Sequence, residues 1–122
     1  MKSLLVKKNS GQVFNIEGGT KGIIYPDNLS TDSTIVEVSM SGEYPVGGYS
    51  INERCTETLF MLEGEFRVRV GEEKYLLSPG DVLTIVPNCK YRIEGNGKVI
   101  DFITPRWDKK QNKIIEDNNF TL

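Results

Sequence analysis

Apolar residues recur at every second position through most of this chain, and that period restricts it to an architecture built from strands. Thr34-Ile35-Val36-Glu37-Val38-Ser39-Met40 alternates, and so does Phe66-Arg67-Val68-Arg69-Val70, with its arginines on one face. A strand points successive side chains to opposite faces, so such runs lay one face on a core and one in water. Residues that favour turns interrupt the runs at Glu63-Gly64, Gly71-Glu72, Ser78-Pro79-Gly80-Asp81, Pro87-Asn88 and Gly95-Asn96-Gly97. Between residues 58 and 104 they return about every 8–12 residues, the spacing of an antiparallel sandwich or barrel. No internal segment sustains a helical period. The stretch from Trp107 to Asp117 alone is compatible with a helix, and it is polar.

The length of 122 residues corresponds to one domain, 1–122, large enough to bury a core without staples. Fifteen basic and 17 acidic residues leave a net charge of −2, which gives no electrostatic reason to bind nucleic acid or an anionic membrane. No run approaches the ~18 apolar residues of a membrane span. Only three apolar residues, Leu4, Leu5 and Val6, stand between the first lysines, too short an apolar stretch for a secretory signal, so a cytoplasmic location is expected. Two cysteines, Cys55 and Cys89, are too few for a disulfide framework and read as small reduced thiols.

Two further stretches carry a resemblance. One is Glu57-Thr58-Leu59-Phe60-Met61-Leu62-Glu63-Gly64-Glu65. The other is Leu77-Ser78-Pro79-Gly80-Asp81 followed by Ile85-Val86-Pro87-Asn88-Cys89-Lys90-Tyr91. In order and separation they resemble the two motifs of the cupin superfamily, and Ile103-Thr104-Pro105-Arg106-Trp107-Asp108 is similar to the way small bacterial cupins leave the barrel. The resemblance spans about residues 34–107. It implies an all-β fold, a double-stranded β-helix of the jelly-roll type, here with a short polar C-terminal tail.

The resemblance also implies a place for a metal. Metal-binding cupins use two histidines and a glutamate from the first motif and a histidine from the second. By position these fall on Ile51, Glu53, Glu57 and Tyr91, and the chain contains no histidine. An aliphatic residue, two carboxylates and a phenol make a poor transition-metal site, so no metal and no cofactor is expected. In the family the ligand positions point inward. Alternation then places Glu57 with Leu59 and Met61, and Tyr91 with Ile93, around a largely apolar cavity. Ile51, Glu53, Glu57, Leu59, Met61, Tyr91 and Ile93 are the expected ligand-binding residues.

Three functions fit that cavity. The first is metal-independent binding of a small polar or sugar-like molecule. The second is an isomerase or epimerase of a sugar or keto acid. There Glu57 and Glu53 would serve as acid and base, with Tyr91 donating a proton or stabilising an enolate oxygen. The third is a structural or assembly module whose barrel is filled by Leu59, Met61 and Ile93. Fold alone does not choose among them. A homodimer is expected, because Val13-Phe14-Asn15-Ile16 and Gly22-Ile23-Ile24-Tyr25 are strand-like runs outside the matched motifs that a partner would cover. Lys109, Lys110 and Lys113 read as a solvated face, Trp107 as packing for the tail, and Tyr44 and Tyr49 as residues of the loop that feeds the first motif.

Overall fold

The computed structural model describes residues 3–122. The alternating runs form nine strands: β1 (Gln12–Ile16), β2 (Thr20–Ile24), β3 (Thr34–Tyr44), β4 (Tyr49–Asn52), β5 (Thr56–Val70), β6 (Glu73–Leu77), β7 (Val82–Ile85), β8 (Tyr91–Thr104) and β9 (Asn112–Ile115). All pairings between them are antiparallel. Strand β8 organises the sheet: one edge bonds β3 over eleven residue pairs and the other bonds β5 along nearly its whole length. β1 and β2 continue the β3 side, and β6 and β7 flank β5. The result is the double-stranded β-helix barrel expected from the alternation and the two motifs. Among the described residues, no helix is long and apolar enough to cross a membrane.

Two of the expected turns are bends inside long strands. Gly64 pairs with Gly97 and Phe66 with Gly95, in the middle of β5 and β8. Gly64 has φ +80°, and a β-carbon there would run into the Asn96 carbonyl. Glycine at both places lets the two backbones approach closely while the sheet turns a corner. A bulge between Met61 and Glu63 accompanies the bend. Its consequence is a change of phase. Before it, Glu57, Leu59 and Met61 are buried; after it, Phe66 and Val68 are buried. One extra residue flips which side chains face the core.

The interior is one apolar cluster built on Met40, Leu59, Met61, Phe66, Val68, Leu77, Ile85, Tyr91, Ile93 and Val99. A smaller group of Val36, Cys55 and Ile103 lies beside it, with Phe14, Ile24 and Trp107 packed on. Both cysteines are free thiols, Cys55 fully buried and Cys89 half-buried.

The tail differs from its expected form. Residues Lys109–Gln111 make one 3-10 turn, capped by the Asp108 carboxylate, and β9 then pairs with β4. Buried Gln111 and the free edge of β4 outweigh the tail's weak helical preference. The N-terminal runs are β1 and β2, which join the chain's own β3 rather than standing apart from it.

Candidate functional site

Strand β5 brings Glu57 to the inner face, where it is only 6% exposed. A carboxylate taken out of water needs donors. Glu57 has two, both on Oε2: the Tyr91 hydroxyl donates at 2.6 Å and the Asn52 amide Nδ2 at 2.7 Å. Asn52 is itself held. Its Oδ1 accepts from Gln111 Nε2 at 3.0 Å and from Asn112 Nδ2 at 2.9 Å. Gln111 Oε1 in turn accepts the backbone N–H of Arg54 and of Cys55, at 3.0 and 2.9 Å. The polar tail therefore braces the buried acid through an amide relay. Such buried networks rigidify a site when every member is satisfied.

A second carboxyl joins the first. Asp101, 7% exposed, is opposite Leu59 on β8, while Glu57 is opposite Ile103. The two acids are thus diagonal neighbours on one face. Burial pushes the Asp101 carboxyl well above the usual carboxylate range, and the nearby charge of Glu57 pushes the same way. One oxygen of Asp101, Oδ1, has no protein partner. The Tyr91 hydroxyl is likewise raised well above its ordinary value, by burial and then by the charge of Glu57. Tyr44, whose ring centroid is 6.2 Å from that of Tyr91, is raised by burial first. Both phenols are neutral at physiological pH, and Tyr91 donates to Glu57.

These groups sit at one part of a cavity of about 440 Å³. Its remaining walls are mainly apolar: Val38, Met40, Leu59, Ile85, Ile93 and Val99 from the barrel, with Phe14 and Ile24 from β1 and β2 and Trp107 from the tail. Leu59 and Ile93 line the cavity without filling it. A carboxyl whose proton affinity is raised by burial beside a second carboxyl, with a phenol donor at hand, can both accept and deliver protons.

The structure brings Glu57, Leu59, Tyr91 and Ile93 together and separates the other expected residues from them. Glu53 points away from the cavity; its side chain is 58% exposed and pairs with Lys113 at 3.8 Å. Ile51 lies opposite Lys113 on the β4–β9 pair and is not a cavity wall. The reason is phase. On β4 the inward positions are Ser50 and Asn52, and the bend at Glu53-Arg54-Cys55 resets the alternation before β5. Met61 does face inward, yet it is completely buried in the core cluster and lies off the cavity wall. Of the two loop tyrosines, Tyr44 lines the cavity, while Tyr49 stacks on Phe120 at 5.3 Å. Asp101, Asn52 and Gln111 are the residues that sequence reasoning missed. The signal for Asp101 was present, an acid at an inward place in Val99-Ile100-Asp101-Phe102-Ile103.

The metal set of related barrels does not fit this site. The positions carried over for it are split between the inside and outside of the barrel. The groups that do converge are two carboxyls, an amide and a phenol, with no imidazole. Among the described residues, no three His, Cys, Asp or Glu side chains are grouped to hold an ion.

No curated protein matches the chain in sequence. Among solved structures it is similar to Streptomyces Pac13, described as a unique nucleoside dehydratase. That likeness has a TM-score of 0.82 and 16% identity over 94% of this chain and 92% of the other. It is also similar to KdgF from Halomonas sp., with a TM-score of 0.70 and 22% identity over 89% and 99% of the two chains. An RmlC-like cupin from Shewanella frigidimarina aligns with a TM-score of 0.72 and 21% identity over 89% and 96%. At these identities the likenesses speak for the fold. The cupin domain family matches residues 40–102, just over half of the chain, and so the chain belongs to the cupin family.

Proposed function

We propose that this chain binds a small polar, ring-shaped molecule such as a sugar or nucleoside inside the barrel, without a metal ion. The observation that carries the reading is the buried Glu57–Asp101 carboxyl pair, with Tyr91 on Glu57, in a cavity whose other walls are mainly apolar. An apolar pocket with a few convergent polar groups is the usual form of a small-molecule site. Structural likeness to a nucleoside dehydratase that has also been solved with uridine is consistent with it. A thermal-shift screen of neutral sugars, nucleosides and keto acids tests the reading. At least one compound should raise the melting temperature by several degrees, since binding at a hundredfold excess over Kd stabilises the folded state by about 2.7 kcal/mol. The shift should vanish in Glu57→Ala. A broad screen without a hit would return the barrel to a purely structural role.

The raised Asp101 carboxyl favours a second reading, acid–base catalysis such as isomerisation, epimerisation or dehydration. Glu57 and Asp101 would exchange a proton with the substrate and Tyr91 would steady the developing oxyanion. Glu57→Gln separates the two: for an enzyme it abolishes turnover of the hit and leaves binding in place.

The proposal extends to a homodimer in the cytoplasm. β1 is an edge strand with Val13 77% exposed, an arrangement that a second copy would cover. Light scattering at micromolar concentration should give twice the chain mass, and the monomer mass would count against it.

A further inference from the structure

On the reading that the barrel takes a neutral ring, we infer that its ligand also carries a phosphate ester, held outside the barrel by Arg54, Arg106 and Lys109. These three cations line a basin of about 510 Å³, together with Pro105 and Trp107 and the carboxylates Asp32 and Asp108. The basin and the barrel cavity adjoin, because Trp107 and Lys109 line both. On this inference a substituent on a ring held in the cavity would enter the basin past the shared wall of Trp107 and Lys109.

The charge there is available. The Asp108 carboxylate is engaged in capping the 3-10 turn, accepting the Lys110 N–H at 3.0 Å. Asp32 accepts the Arg106 N–H at 3.4 Å and pairs only loosely with its Nε, at 3.8 Å. Among the described residues, Arg54 and Lys109 have no carboxylate within ion-pair distance. The chain as a whole carries −2, so this concentration of cations is local rather than part of a general excess.

The backbone that carries Arg54 is tied to the turn that carries Lys109. Gln111 closes the turn that begins at Lys109, and its Oε1 holds the Arg54 backbone N–H at 3.0 Å. Its Nε2 reaches Asn52, the amide that donates to Glu57. One side chain thus ties the backbone at Arg54 to the amide that satisfies the acid. Two guanidinium forks and an ammonium suit the several oxygens of a phosphate, and their fixed backbone limits the ordering cost of binding.

The test uses three probes: inorganic phosphate alone, neutral uridine and simple sugars, and the phosphate monoester of each neutral compound. By nuclear magnetic resonance, inorganic phosphate should move the signals of Arg54 and residues 105–109 saturably, beyond the effect of chloride at equal ionic strength. The monoester of a neutral binder should bind about tenfold tighter or more, as hydrogen bonds to charged groups allow. Arg54→Gln and Lys109→Gln should each remove most of that gain, while Lys74→Gln on distant β6 should keep it. The phosphate response should survive in Glu57→Gln. The inference is overturned if phosphate gives no saturable shift, if the shift persists in both basin variants, or if a neutral ring binds and its monoester binds no better. A phosphate response without any neutral binder would instead overturn the barrel reading and leave the anion subsite standing.

Discussion

Asp101 and Glu57 are diagonal neighbours on the inner face of β8 and β5, fixed by the pairs Leu59–Asp101 and Glu57–Ile103. Strand pairing, rather than any local motif, places two carboxyls in one apolar space. Their environments differ. Glu57 has the Tyr91 and Asn52 donors on Oε2, whereas Asp101 has an oxygen without a partner and a proton affinity raised by burial.

The raised Asp101 carboxyl makes stability depend on pH. Folding raises its affinity for a proton, so its favourable contribution is complete below the unfolded carboxylate pKa, near pH 4, and is lost as pH climbs through the raised folded value. Asp101→Asn holds the neutral form at every pH. Urea unfolding at a series of pH values should show a flatter profile for this variant, with greater stability than the parent at neutral pH. A variant less stable at neutral pH, with the parent's slope, would contradict the assignment.

Tyr91→Phe removes one of the two donors to Glu57 and leaves the carboxylate underpaired. The expected loss is about 1–3 kcal/mol at neutral pH, read from urea midpoints. The cavity shape is otherwise kept, so ligand affinity should fall less than in Glu57→Ala.

Gln111→Ala strips the acceptor from two backbone N–H groups and a donor from Asn52. It should cost at least about 2 kcal/mol and weaken ligand binding as well, because the Asn52 amide is no longer steered onto Glu57. Lys110→Ala, one residue away and exposed, should lie within about 0.5 kcal/mol of the parent. Equal effects from the two substitutions would remove Gln111 from its bracing role.

Elemental analysis of protein purified without a histidine tag should find no stoichiometric zinc, iron, nickel or manganese. One equivalent that disappears in Glu57→Ala would mean that the oxygen-rich site accepts a metal after all.

Much of this molecule could be read from its residues. The period of two, the two motifs and their separation led to the barrel, and the motif positions led to Glu57 and Tyr91. Alternation reports which residues share a face within one strand, but it carries no phase across a bend. That is why Ile51 and Glu53 were expected where Ser50 and Asn52 stand, and why Gly64 and Gly95-Asn96-Gly97 read as turns. Asp101 was hidden for a different reason: its role depends on a partner strand 44 residues away in sequence from Glu57, and no local pattern announces that pairing. Gln111 was hidden by composition, since a polar tail looks solvated until β9 is seen to close on β4.

The amide and phenol that satisfy Glu57 have a kinetic consequence. Glu57 and Tyr91 are 34 positions apart, and Asn52 and Gln111 are 59 apart. A nascent or refolding chain must close both long loops before the acid can leave water, and such non-local β topologies close in milliseconds to seconds. Barrel closure and dehydration of the acid pair therefore belong to one event. Stopped-flow refolding should show proton uptake, followed with an indicator dye at a pH just above the unfolded carboxylate range, at the same rate as the fluorescence change of Trp107, the chain's single tryptophan. A slower, separate proton phase would mean that the strands zip first and the site dries afterwards.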